Sequence, residues 1–405
     1  MTENIKPADA AQVADFLAWA AGEEVPVEIV GSGSKRGLGR PMGEGNRIIG
    51  HTLDLSGLSG ITLYEPEELV LTARAGTPVA EIEAAVAARN QQLAFEPPDL
   101  GALYGAAGGT LGGLVSTNLG GPRRIKAGAA RDHVLGFNGV SGRGEAFKAG
   151  GRVVKNVTGY DLCKIVSGSY GTLAALTEIT VKVLPAPEET RTLVLSGLDD
   201  ATAQRAMARA IGSSHEVSGA AHLPAAGAAA ATTLLRLEGF GPSVAARNEA
   251  LRGLLAEFGA IAELDRDESL ARWRLVRDAA PVRDGGTPLW RLSLTPSCAP
   301  AAVAAIADSL AVRALYDWSG GLVWLAVDGA AGGQDASDAG AAAIRAAIAA
   351  HGGGHATLMR APEAVRAVVD VFEPQAAGVA ALSRRVKDGF DPRRILNPGR
   401  MYAGV

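Results

Sequence analysis

Two cysteines, Cys163 and Cys298, are all that 405 residues contain. They stand far apart and outside any Cys-x-x-Cys pattern, so a disulfide framework, a structural zinc site and an iron–sulfur cluster all lack ligands. A reducing compartment fits that usage. Excess charge of one sign is missing too: 39 basic residues against 43 acidic ones leave a net −4. Such a balance offers no electrostatic footprint for nucleic acid or for an anionic membrane surface. Nor does any uncharged apolar run approach the roughly 20 residues of a membrane span. Asp15, Glu23 and Glu24 give the beginning of the chain the wrong charge for a secretory or transit peptide. The expectation is a soluble, cytoplasmic protein with no metal site.

Glycine is abundant, with 52 residues clustered mainly between Gly31 and Gly171. Clustered glycine means backbone at positive φ or pressed close to a ligand, so function is sought there. With 47% hydrophobic residues the chain can bury a sizeable core, and its length suits about two or three domains. Asp9 reads as the cap of a helix whose Val13, Phe16, Leu17 and Ala20 share one face. Val25–Val30 and Leu69–Ala73 read as strands, as does the alternating run Thr177–Leu184. Thr77 is placed to cap a helix opening at Pro78.

Beyond Pro187 strand-like runs (Thr192–Leu195, Thr232–Leu237, Leu289–Leu294, Gly321–Val327) alternate with alanine-rich helices (Ala201–Ile211, Ser243–Glu257, Pro300–Ala311, Ala336–Ala350). That pattern predicts one antiparallel sheet with helices on one face. Helices over Pro362–Phe372 and Gln375–Gly389 then precede a tail ending Leu396-Asn397-Pro398-Gly399-Arg400. The fold class is α+β. Its expected domains are residues 1–188 and 189–355, with 356–405 returning to the first.

Three motifs carry the chemistry. The first, Gly31-Ser32-Gly33-Ser34-Lys35, follows a strand, and its consecutive small residues let backbone N–H groups converge on an anion such as a pyrophosphate. Its G-x-G-x-x-x-G spacing is neither a Rossmann fingerprint nor a P-loop, and alone it reads equally as a glycine turn. The second runs Gly108-Gly109-Thr110-Leu111-Gly112-Gly113 through Ser116-Thr117-Asn118 to Gly120-Gly121, a segment able to lie against a ligand. The third comprises Lys155–Leu162, Gly168–Thr172 and Thr177–Thr180.

In this order the motifs resemble the PCMH-type FAD-binding domain of the vanillyl-alcohol oxidase superfamily. Gly120–Arg124, Lys155–Leu162 and Asp391–Arg400 narrow the resemblance to the smaller, FAD-binding subunit of bacterial glycolate oxidase. The resemblance is strong over residues 25–187 and the last fifteen, and vague between Thr190 and Gly354. It implies that Gly31–Lys35 and Gly109–Gly113 embrace the pyrophosphate of FAD, with Ser116, Thr117, Asn118, Gly120 and Gly121 continuing along the cofactor. By the same resemblance Glu178 and Ile179 belong to the strand whose backbone meets the adenine or flavin end of FAD, and Asn397 returns beside the flavin ring. The segment beyond Pro187 then becomes an α+β cap domain.

No histidine or cysteine lies in the two glycine loops, so the FAD is expected to be non-covalent. The H-x-G-D-G-N-x-H motif of catalytic 2-hydroxy-acid relatives is absent, and their E-H-G is reduced to Ala350-His351-Gly352. No catalytic residue is therefore assigned. His351 and His355 read as a glycine-turn pair rather than a metal site. Tyr160-Asp161 could touch the flavin or form a buried hydrogen bond. The tryptophans read as core, and Arg123, Arg124 and Lys126 as a solvated patch or partner contact. The resemblance implies a subunit of a 2-hydroxy-acid dehydrogenase complex, beside a catalytic FAD subunit and an iron–sulfur subunit, with room for peripheral membrane association through that complex. A self-sufficient FAD-dependent dehydrogenase and a non-redox scaffold are the alternatives.

Overall fold

The computed structural model describes residues 3–43, 48–106, 108–152, 159–330 and 337–405. The Lys155–Thr158 part of the third motif lies outside them. The described residues up to Gly120, with Gly128–Ala186 and Pro374–Val405, form one compact unit, and Gly121–Ala127 with Pro187–Glu373 form a second.

In the first unit, β1 (Glu3–Ile5), β2 (Val27–Val30) and β3 (His51–Asp54) make a parallel sheet in the order β1-β3-β2. Helix α1 (Ala10–Gly22) forms as its periodicity predicts: Asp9 Oδ1 accepts from Gln12 N at 2.9 Å, and Val13, Leu17 and Ala20 are buried. A second sheet joins β4 (Ile61–Glu65), β5 (Val70–Arg74), β7 (Val134–Ser141), β8 (Ala146–Gly150) and β9 (Ala174–Lys182) in the antiparallel order β4-β5-β9-β7-β8. The short β6 (Gln91–Gln92) pairs with β10 (Leu184–Pro185). Leu71, Ile82, Leu111, Val115, Ile179 and Val181 meet in the core between that second sheet and helices α2 (Val79–Ala87) and α3 (Leu111–Thr117). Thr77 does not cap α2. Its hydroxyl donates to Arg74 O at 2.7 Å, which ties the end of β5 to the turn, while Pro78 occupies the cap position without a side-chain bond.

The second unit carries one antiparallel eight-stranded sheet, β14-β11-β13-β12-β16-β17-β15-β18. Its strands are β11 (Glu189–Ser196), β12 (Gly219–Leu223), β13 (Thr232–Gly239), β14 (Ile261–Leu264), β15 (Leu289–Leu294), β16 (Leu310–Asp317), β17 (Leu322–Ala330) and β18 (Gly354–Arg360). Trp273, Trp290, Trp318 and Trp324 are all buried here. Two boundaries differ from the expected ones. Because β18 pairs along its length with β15, residues 356–373 stay with this unit, and the returning segment begins at Pro374 instead of 356. Residues 121–127 also join it, since Arg123 forks onto buried Glu238 and Trp318 Nε1 donates to Gly121 O at 3.1 Å. The helix expected over Pro362–Phe372 is a short one, Glu363–Val368, and no described helix is long and apolar enough to cross a membrane.

Candidate cofactor site

The first unit holds an open cleft, lined by the Gly31–Arg36 loop, the start of the helix from Leu111, and the tail residues Asn397 and Arg400. Strand β2 ends at Val30 and delivers the loop from Gly31. Gly33 sits at φ +71°, where a side chain would strain the backbone, and Ser32 Oγ donates to Gly108 O at 2.9 Å. That bond holds the two glycine motifs together. A Cβ on Gly31 would collide with Thr110 Oγ1, so only glycine allows this approach. Thr110 caps α3, and Gly112 N donates to Ala75 O at 2.7 Å. Gly112, Gly113, Ser116 and Thr117 thus face the loop across the cleft.

Lys35, Arg36 and Arg400 bring three cations to the lining, and no carboxylate lines it among the described residues. Arg36 is anchored on Glu28 at 2.9 Å. Lys35 Nζ has Ser34 Oγ at 3.5 Å as its hydrogen-bond partner, and burial lowers its pKa below the ordinary lysine value against the opposing pull of Asp99. A half-buried ammonium held this way is stabilised by an arriving anion. Elsewhere in the cleft Ile29, Val30, Leu55, Ala75, Ala174 and Leu176 offer apolar surface. Cations and glycine backbone beside apolar walls can take a ligand that combines an anionic group with aromatic rings.

Asn397 closes the cleft. At φ +41° it receives Ile29 N on Oδ1 and donates Nδ2 to Tyr170 O, both at 2.7 Å.

The structure therefore brings Gly31, Ser32, Gly33, Ser34, Lys35, Thr110, Gly112, Gly113, Ser116, Thr117 and Asn397 to one lining. Other expected residues lie off it. Gly109 packs against Lys35, and Leu111 and Ile179 are core. Asn118 Oδ1 accepts from Arg131 N at 2.9 Å, and Gly121 belongs to the second unit, immediately after Gly120. Glu178 accepts from Thr62 at 2.8 Å and Asn138 at 2.9 Å, and lines a separate hollow with Arg74, Phe147 and Lys148. Tyr170, Gly171 and Arg400 line the cleft without having been assigned to it, although the Gly168–Thr172 and Asp391–Arg400 motifs contained them.

Outside the cleft, Tyr160 is 90% exposed, so the buried Tyr160–Asp161 hydrogen bond, one of the two alternatives for it, is not formed. Arg123 is not a solvated patch: it and Arg236 hold Glu238, whose pKa burial alone would raise, down at about 2. Arg124 stacks 4.5 Å over Trp318, and Lys126 stays exposed against Glu216. His351 ends the helix Ala341–Ala350 and His355 lies on β18, so the two share no helix face.

A family profile described as an FAD binding domain matches residues 4–150. Among solved structures, p-cresol methylhydroxylase with substrate bound superposes with a TM-score of 0.70 at 14% identity, over 99% of this chain and 88% of that one. Alkyldihydroxyacetonephosphate synthase gives 0.69 at 15%, over 98% and 75%. Fold and profile together define a protein with an FAD-binding domain and the fold of p-cresol methylhydroxylase. The glycolate oxidase subunit GlcE of Escherichia coli (strain K12) is 38% identical over 390 residues, 95% of each chain. The chain belongs to the family of that subunit. The glycolate oxidase subunit GlcD of Bacillus subtilis (strain 168) is 32% identical over 190 residues, 47% of this chain and 38% of that protein.

Proposed function

We propose that this protein is the FAD-carrying subunit of a multi-subunit glycolate oxidase, working beside a catalytic flavin subunit and an iron–sulfur subunit. The carboxylate-free cationic cleft carries the reading, together with full-length similarity to a glycolate oxidase subunit. When bound, FAD supplies an acceptor for a hydride equivalent and passes the electrons on. The chain's own work is binding and orientation. Lys35 would meet the diphosphate, the Gly31–Ser34 and Gly112–Gly113 backbones would let it approach, and Asn397 fixes the loop by receiving Ile29 N. Leu55, Ala75 and Leu176 would keep water off the rings.

No side chain lining the cleft among the described residues has the context of a general base for a hydroxy acid. This favours an electron relay over a self-sufficient dehydrogenase. The FAD is held non-covalently, and acid precipitation should leave the yellow colour in the supernatant. The flavin-loaded chain, mixed anaerobically with excess glycolate, should keep its oxidised spectrum for minutes, whereas the co-expressed complex should bleach. Rapid bleaching of the isolated chain would sink the relay and establish a self-sufficient enzyme.

A further inference from the structure

Lys387 and Asp391 are both fully buried at the end of the helix Ala377–Phe390. Lys387 Nζ reaches Asp391 Oδ2 at 2.7 Å and donates to Thr172 O at 2.7 Å and Leu396 O at 2.9 Å. Asp391 in turn accepts from Ile395 N at 3.1 Å and Leu396 N at 2.8 Å. Removing two charges from water is costly, and an apolar pair of equal volume often stabilises a fold as well. What this pair adds is geometry. It grips Leu396 by both its N–H and its carbonyl, one residue before Asn397, whose own N–H donates to Val27 O at 3.0 Å.

Three residues on, Arg400 lies against the glycine loop. Its guanidinium donates to Lys35 O at 2.9 Å, and its carbonyl accepts from Arg40 N at 2.9 Å. It is 8% exposed and lines the same cleft as Lys35. A cation is thus seated on the loop by a rigid tail.

We propose that Arg400, positioned by the Lys387–Asp391 pair, is a selectivity determinant: it makes the cleft prefer a flavin that carries a diphosphate over one that carries no phosphate. The proposal rests on the flavin assignment above. A neutral ribityl-isoalloxazine gains nothing from a second cation in the cleft, whereas a diphosphate gains both the charge and the loop geometry that Arg400 fixes.

The test is titration of the apo chain with FAD and, separately, with riboflavin, followed by quenching of flavin fluorescence. Arg400→Gln should weaken FAD binding about 10- to 100-fold, the range of one charge-assisted hydrogen bond, and leave riboflavin binding within about twofold. It should also flatten the salt dependence of FAD binding, which Arg400→Lys restores. Lys387→Met should reproduce the selective loss, because Arg400 loses its seat. Equal losses for both flavins, or no loss, overturn the proposal. Should Arg400→Gln fail to fold, the wild type decides: FAD affinity that does not fall with salt overturns it. A wild-type chain that binds neither flavin removes the underlying assignment itself, an outcome distinct from tight binding indifferent to Arg400.

Discussion

Replacing Gly113 by aspartate separates a ligand site from a packed glycine turn. Gly113 lies inside α3 at an ordinary helical φ, and a Cβ there would stand 3.5 Å from Thr110 Oγ1 and 3.7 Å from Lys35 Nζ. Those are ordinary contacts, so Gly113→Asp should fold with a thermal midpoint near that of the wild type. The new carboxylate then reaches the Lys35 ammonium and occupies the diphosphate's place. A like charge about 4 Å from a phosphate costs roughly 4 kcal/mol at an effective dielectric of 20, close to 1,000-fold in affinity. Gly113→Asn adds the same bulk without the charge and should lose about tenfold or less, the scale of one strained contact. Visible absorbance of the purified variants, normalised to protein, gives flavin content, and circular dichroism gives the fold. A folded Gly113→Asp protein with a full complement of FAD would refute this placement of the cofactor.

Lys35→Met should abolish FAD retention yet raise the thermal midpoint of the apo protein. The folded pKa of Lys35 lies below 10.5, so the unfolded chain binds its proton more tightly; charged Lys35 therefore costs apo stability below that window, and stability rises with pH through it. Calorimetry of the apo protein from neutral to alkaline pH checks the sign. Glu238→Gln leaves Arg123 and Arg236 without their carboxylate and should destabilise the second unit by about 3–5 kcal/mol in urea melts at neutral pH. In the wild type the stabilisation from Glu238 is complete above its ordinary 4.5 and disappears as pH falls toward about 2, so acid titration of the variant should lack that step. Burial and the neighbouring Asp161 push the Cys163 thiol up to about 11, so iodoacetamide at neutral pH should label Cys298 first, read by peptide mass.

Much of the cleft was legible in the sequence because its walls are backbone. Gly31, Gly33, Gly112 and Gly113 announce close approach by composition alone, whereas the helix that Thr110 caps was not read from the sequence. What stayed hidden was partnership at long range. Nothing local says that Asn397 will bond Ile29, 368 positions away, or that Arg400 will lie on Lys35. Arg123 read as surface because charge beside charge usually is; its carboxylate partner, Glu238, arrives from a strand 115 positions on. Glu178 misled differently. It sits in a recognisable motif, and alternation alone would leave it on the face of Ala174 and Leu176, but the register of β9 shifts between Leu176 and Glu178, and its side chain meets Thr62 and Asn138.

The tail that closes the cleft also sets a schedule. β2 leaves the ribosome long before its partners, for Ile29 meets Asn397 only after 368 further residues, and Val27 waits as long for Ile395 and Leu396. Through most of its synthesis the nascent first unit therefore exposes an unfinished wall. Flavin loading becomes a late event, competing with chaperones and proteases rather than guiding the fold from the start. A lesion that removes the residues from Ile395 onward would leave the second unit's described strands in place while taking the tail away from the cleft of the first.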